Sequence, residues 1–164
     1  MTAKGEPRWL DKEEQRSWRA LMMGITLLLD RLDEDLSREF GISLTEYEVL
    51  VRLSEREGRQ MRMAQLADSM AHSRSRVTHT VARMERSGYI TRGTTPEDGR
   101  GVVATMTDQG YSLLVAAAPC HVESVRNNIV DLVDKDDFAA LGRVFDTVSD
   151  HLVARHPEIE MRSS

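Results

Sequence analysis

The chain has 164 residues, of which 40% are apolar and 30% charged, so it can bury a core and is not broadly disordered. Aromatics reach only 5%, too few for a typical β-sandwich, and no apolar run approaches the roughly 20 residues that span a bilayer. Cys120 is the single cysteine, excluding an internal disulfide framework or a zinc ribbon, and the N-terminal stretch lacks an apolar signal segment. A mainly helical, cytoplasmic protein without a membrane partner is the expectation.

Residues 1–8 are expected to form a flexible N-terminus. Residues 9–39 read as one long helix, with Leu21, Ile25, Leu28, Leu32 and Leu36 repeating at helical spacing. Phe40-Gly41 ends it, Gly41 being suited to a left-handed position. Thr45 and Glu48 have capping-box spacing and open a helix carrying Tyr47, Val49, Leu50 and Leu53, which stops near Gly58. Met63–Met70 reads as a short helix with Leu66 and Ala67 inward, followed by an Ala71-His72 turn. Ser73 then caps a helix through Arg86 whose inward positions are Val77, Val81 and Met84, and Gly88 stops it.

Beyond Gly88 the period changes. Tyr89–Arg92 and Val102–Met106 are β-prone runs flanking a polar, turn-rich tip, the pattern of a hairpin. Thr107 caps a further helix, which Pro119 is expected to bend or interrupt and which resumes through Val122, Val125, Ile129 and Leu132. A last helix sets Phe138, Leu141, Phe145, Val148 and Leu152 along a coiled-coil-like seam. Pro157 ends it, and residues 161–164 form a loose tail. The predicted fold is mainly α with a small β-hairpin wing. It is a winged helix-turn-helix over 44–107, held in a single domain between helical dimerisation segments at 9–40 and 108–156.

Charge is distributed unevenly. The net charge is −5, yet Arg52–Val103 holds ten arginines and six acids, which makes that window +4 and the remainder −9. A basic middle between acidic flanks suggests one surface that faces a polyanion. On the 73–86 helix, the arc opposite Val77, Val81 and Met84 holds Ser75, Arg76, His79, Ala82, Arg83 and Arg86, with no acid among them. Such a one-signed face is costly unless an anion offsets the repulsion, and a DNA major groove is such an anion. Ser75, Arg76 and His79 lie in the half that enters a groove most deeply, so they are candidates for base edges. Arg83 and Arg86 are candidates for phosphates, and Arg74 and Thr78 complete the candidate surface.

At this point the sequence closely resembles the MarR family of winged helix-turn-helix transcription regulators. The resemblance runs from Leu44 to Leu114 and is most specific at Asp98-Gly99-Arg100, which matches the family's Asp-x-Arg wing signature, with Met106–Gly110 at the usual distance beyond. Gly101 stands where the family normally carries Ser or Thr, removing one possible hydroxyl–phosphate contact. A guanidinium on a projecting hairpin can enter a narrow minor groove, and Asp98 is placed to hold Arg100 there by a charge-assisted bond. The resemblance further implies a homodimer built from the N- and C-terminal helices, a pseudo-palindromic double-stranded DNA operator, and more often repression than activation.

The resemblance also implies a small, often phenolic or aromatic effector held between the dimerisation helices and the DNA-binding module. Trp18, Met22, Tyr47, Arg52 and His121 are its candidate contacts by chemistry and helix position. Other readings are weaker on the residues. Cys120 could sense redox state, with only His121 and Arg126 near it to favour a thiolate. No cofactor or metal is expected: His151 and His156 are off the spacing that places two ligands on one helix face, His72 and His79 belong to the DNA-binding unit, and His121 could pair only with residues of another helix. Ser73, Ser75 and His79 match no nucleophile elbow, and no phosphate-cradling glycine motif occurs, so an enzyme is not expected. A winged helix used for protein interaction would favour acids on the outer face of its recognition helix, and none are there.

Overall fold

The computed structural model describes residues 6–95 and 98–153, apart from the side chains of 95, 98–100 and 153. The expectations for Pro157 and for the 161–164 tail lie outside the described residues, as does most of the N-terminal segment.

Helix α1, Lys12–Phe40, begins three residues later than the hydrophobic pattern suggests, because Asp11 and Glu14 form a reciprocal capping box at its start. Gly41 ends it at φ 68°, donating its N–H to the Ser37 carbonyl. Helix α2, Leu44–Ser54, corrects the expected cap. The box is Ser43 with Glu46, not Thr45 with Glu48, the same spacing two residues earlier. Strand β1, Gln60–Arg62, was not anticipated; three residues are too few for alternation to show. Helices α3 (Met63–Ser69) and α4 (Arg74–Arg86) follow, joined by a turn in which Ala71 takes φ 51°.

Strands β2 (Ile90–Thr95) and β3 (Asp98–Met106) form the wing and reach further toward its tip than the two β-prone runs implied. Strand β3 lies between β1 and β2, antiparallel to both, pairing Met61 with Ala104 and Ile90 with Met106. Helix α5, Asp108–Val125, is capped by Thr107 and runs through Pro119 without interruption. Ala117 and Ser124 on either side of that proline are buried, so packing holds the helix across the missing hydrogen bond. The irregularity comes later, as a π-helical turn over Arg126–Val130. Helix α6 spans Lys135–Val153.

One core joins the C-terminal half of α1 to the winged module. Leu36, Leu50, Leu53, Leu66, Val77, Val81, Met84 and Ile90 are fully buried in it. Between α1 and α5 stands a buried carboxylate, Asp35. It accepts a 2.6 Å hydrogen bond from the Ser124 hydroxyl and ion pairs from Arg31 and Arg38, each at 2.9 Å. The Ser124 bond holds its carboxyl below the usual range, against the opposing effect of burial, with Arg38 and Arg31 adding to the lowering.

By contrast, the outer half of α1 and all of α6 are under-packed. Trp18, Met22 and Ile25 on α1 are exposed, and no described side chain of α6 is buried in the chain's own core. Phe138, Val148 and Leu152 of the expected seam are exposed, with Leu141 and Phe145 half-buried.

Candidate nucleic-acid interface

Helix α4 is built to show one face. Ser73 caps it by accepting the Arg76 N–H at 3.3 Å, and Val77, Thr80, Val81 and Met84 anchor the opposite side in the core. Thr80 joins the expected inward set. That orientation leaves Arg74, Ser75, Arg76, Thr78, His79, Arg83 and Arg86 all exposed. The first turn carries no acid and two arginines, the reverse of what favours an isolated helix N-terminus. An external anion would meet both the arginines and the positive end of the helix. Thr78 spends its hydroxyl proton on the Arg74 carbonyl at 2.8 Å and retains acceptor capacity only.

Two ion pairs fix this helix relative to its neighbours, and neither was read from sequence. Glu85, an acid of α4, accepts from the Arg92 backbone N–H at 3.1 Å, from Nε at 2.9 Å and from Nη2 at 2.6 Å, so β2 is clamped to the helix. The bonds from Arg92 hold the Glu85 carboxyl below its usual range. On the other side, Arg83 Nε donates to Glu46 Oε1 at 2.7 Å and Arg83 Nη2 to the Ser43 hydroxyl at 3.3 Å. Arg83 is therefore tied to the start of α2 while its side chain stays about half exposed. Asp33 of α1 in turn accepts the Leu44 N–H at 2.8 Å. At the wing, the backbone of Asp98–Arg100 lies in β3, while the side-chain pairing expected of Asp98 with Arg100 lies outside the described residues.

The five candidate effector contacts do not all converge. Tyr47, Arg52 and His121 line one cleft of about 270 Å³ together with Leu29, Leu32, Leu44, Glu48 and Val51. Trp18 and Met22 do not line it and stand on the exposed face of α1. Tyr47 and His121 pack ring on ring with centroids 4.5 Å apart. His121 Nδ1 is buried without a hydrogen-bond partner among the described residues, and burial pushes the pKa of His121 down and that of Tyr47 up. The Glu48 carboxyl is raised by burial, opposed by Arg52 and Arg76. Cys120 sits where burial, then Asp35 and Glu39, push its thiol upward, which works against a reactive thiolate. Among the described residues no three His, Cys, Asp or Glu side chains cluster in a way that could hold a metal ion, and no helix is long and apolar enough to cross a membrane.

Comparison with known proteins gives the same answer from sequence and from shape. Residues 40–101 match the MarR family model. Sco3205 of Streptomyces coelicolor, a MarR family transcriptional regulator solved in complex with DNA, shares 40% identity at a TM-score of 0.87, over 91% of this chain and 93% of that one. AbsC, a MarR family transcriptional regulator of the same organism, shares 37% identity at a TM-score of 0.85, over 90% of this chain and 99% of that one. The HTH-type transcriptional regulator PecS of Dickeya dadantii is 25% identical over 130 residues, 79% of this chain and 78% of that protein. Identity at this level along nearly the full length of family members places the chain in the MarR family of transcriptional regulators.

Proposed function

We propose that the protein is a homodimeric, sequence-specific double-stranded DNA-binding repressor that lays α4 in the major groove and the wing in the adjacent minor groove. The observation that carries this reading is the outer face of α4. Seven exposed positions, four of them arginine, carry no carboxylate among them, and a wing is clamped alongside by Glu85 and Arg92. Ser75, Arg76 and His79 read base edges, Arg83 and Arg86 meet phosphates, and Arg100, aimed by Asp98, enters the minor groove. Similarity to Sco3205, solved with DNA, supports the assignment.

The exposed apolar side chains of α1, α5 and α6 support the dimer. A 19-residue helix such as α6, with none of its described side chains buried in its own chain, lacks the tertiary packing that normally stabilises a helix in water. A second copy would cover these faces and place two recognition helices about one duplex turn apart. The cleft lined by Tyr47, Arg52 and His121 offers two rings, an exposed guanidinium and an imidazole nitrogen without a partner among the described residues, chemistry suited to a small aromatic or phenolic effector. Such a ligand releases DNA only if it favours the unbound arrangement, and operator must then weaken the ligand reciprocally.

Selection of bound duplexes from a random pool tests the function. A consensus with two-fold symmetry is expected, and release of that duplex by a phenolic compound would identify the effector class. A pool that yields no enriched sequence would refute sequence-specific binding.

A further inference from the structure

We propose that Glu46 is a positioning residue for DNA binding: it aims the Arg83 guanidinium at a backbone phosphate beside the recognition helix. The inference rests on the DNA-binding reading above.

Glu46 is an unusual acid. It is 7% exposed, and its two oxygens have separate duties. Oε2 accepts the Ser43 N–H at 2.8 Å and closes the capping box of α2, while Oε1 takes Arg83 Nε at 2.7 Å. The Ser43 hydroxyl, the other half of that box, accepts from Arg83 Nη2 at 3.3 Å. A carboxylate fixed by its own helix cap thus fixes one edge of a planar fork. The Arg83 side chain remains 54% exposed, so the rest of the fork faces outward on the acid-free side of α4. A flexible surface arginine loses rotamer freedom when it binds a phosphate, and one already held loses less. Burying an acid next to a polyanion-binding face is unfavourable for long-range attraction; the capping box accounts for Oε2, and orientation of Arg83 gives Oε1 its role.

Two accounts therefore predict opposite signs. If Glu46 acts only through its charge, Glu46→Gln removes a negative group near DNA and strengthens binding. If Glu46 aims Arg83, the same change weakens it. Gln also serves at the third position of a capping box, so α2 keeps its cap.

Affinity for a selected operator duplex, measured by fluorescence anisotropy over a salt series, discriminates them in the full-length protein. Glu46→Gln is expected to weaken binding about tenfold. It should also make the log–log salt dependence shallower by about one unit, the signature of one lost phosphate contact. Arg83→Lys, which keeps the charge but not the fork that Glu46 holds, should weaken binding by a similar factor with little change of salt slope. Glu46→Gln added to Arg83→Ala should cost nothing more. Thermal unfolding of each variant checks folding, and Arg83→Lys carries the test should Glu46→Gln fail to fold. Tighter binding or an unchanged salt slope for Glu46→Gln, undiminished affinity for Arg83→Lys, or additive losses in the double variant would overturn the assignment while leaving the DNA reading intact. Failure of the wild-type protein to bind any duplex would overturn both.

Discussion

Gly110→Ala tests how the wing is joined to the helix that follows it. Gly110 is buried in the first turn of α5, and a Cβ there would overlap the Tyr89 carbonyl oxygen and stand 3.0 Å from Met106 Cγ. Relief requires α5 to withdraw from the corner where α4 passes into β2. That corner is held by Thr107, whose N–H donates to the Tyr89 carbonyl at 3.0 Å and whose hydroxyl donates to the Gly88 carbonyl at 2.7 Å. Loss of two such bonds costs about 1 kcal/mol each. Overpacking, where α5 does not move, costs about 1–3 kcal/mol instead. The helical preference of Ala over Gly returns at most about 1 kcal/mol, less in a first turn. The net expectation is a destabilisation of about 1–2 kcal/mol. Urea unfolding at fixed protein concentration reads it as a lower midpoint with unchanged slope. A variant as stable as the wild type, or more stable, would refute the reasoning, because helix propensity alone predicts that outcome.

Four further outcomes are expected, three from the structure and one, at Arg100, from the wing motif in the sequence. Ala71 adopts φ 51° in the turn before α4, a region costly for a residue with a Cβ. Ala71→Gly should therefore stabilise the protein by up to about 1 kcal/mol in urea unfolding, and a loss would contradict the strain. The Asp35 carboxyl, lowered first by the Ser124 hydrogen bond, contributes stability that is complete above the ordinary carboxylate range and is lost as pH falls through its folded value. Asp35→Asn should lower the midpoint at neutral pH and flatten the acid side of the stability profile; parallel profiles would contradict the network. Arg100→Ala should weaken operator binding by about 1–3 kcal/mol, the range for losing an inserted guanidinium, and an unchanged affinity would refute the wing assignment. Ile25→Asp, on the exposed face of α1, should convert a dimer to a monomer in sedimentation, whereas a dimer at the same concentration would place the interface elsewhere.

Much of the fold was legible because its long helices announce themselves by period. Leu36 and Leu32 on α1, and Val77, Val81 and Met84 on α4, fall at helical spacing and are buried where the spacing puts them. Caps and stops at Ser73, Thr107, Gly41 and Gly88 hold for the same local reason. The failures share one cause: interactions decided by tertiary neighbours. Two capping boxes with equal spacing compete at the start of α2, and Arg83 and Asp33, distant in sequence, both engage the one at Ser43–Glu46. Strand β1 exists because β3 offers an edge, not because three residues prefer it. Pro119 stays helical because α5 is packed on both sides of it.

At the interface, residue type on an exposed arc was readable, since it needs only the helical period. The clamps Glu85–Arg92 and Glu46–Arg83 were not, although a lone acid on an arginine-rich helix was a usable signal for the first. Trp18 and Met22 separate from Tyr47, Arg52 and His121 because the cleft opens near the lower half of α1, around Leu29 and Leu32.

Titration of the purified protein against its selected duplex, at several ionic strengths with stoichiometry determined in each, bears most directly on the central claim. Two chains per duplex are expected, with affinity falling steeply as salt rises, by about 0.9 log units per log unit of salt for every phosphate engaged. One chain per duplex, or an affinity indifferent to salt, would contradict a two-fold arginine-lined grip on the double helix.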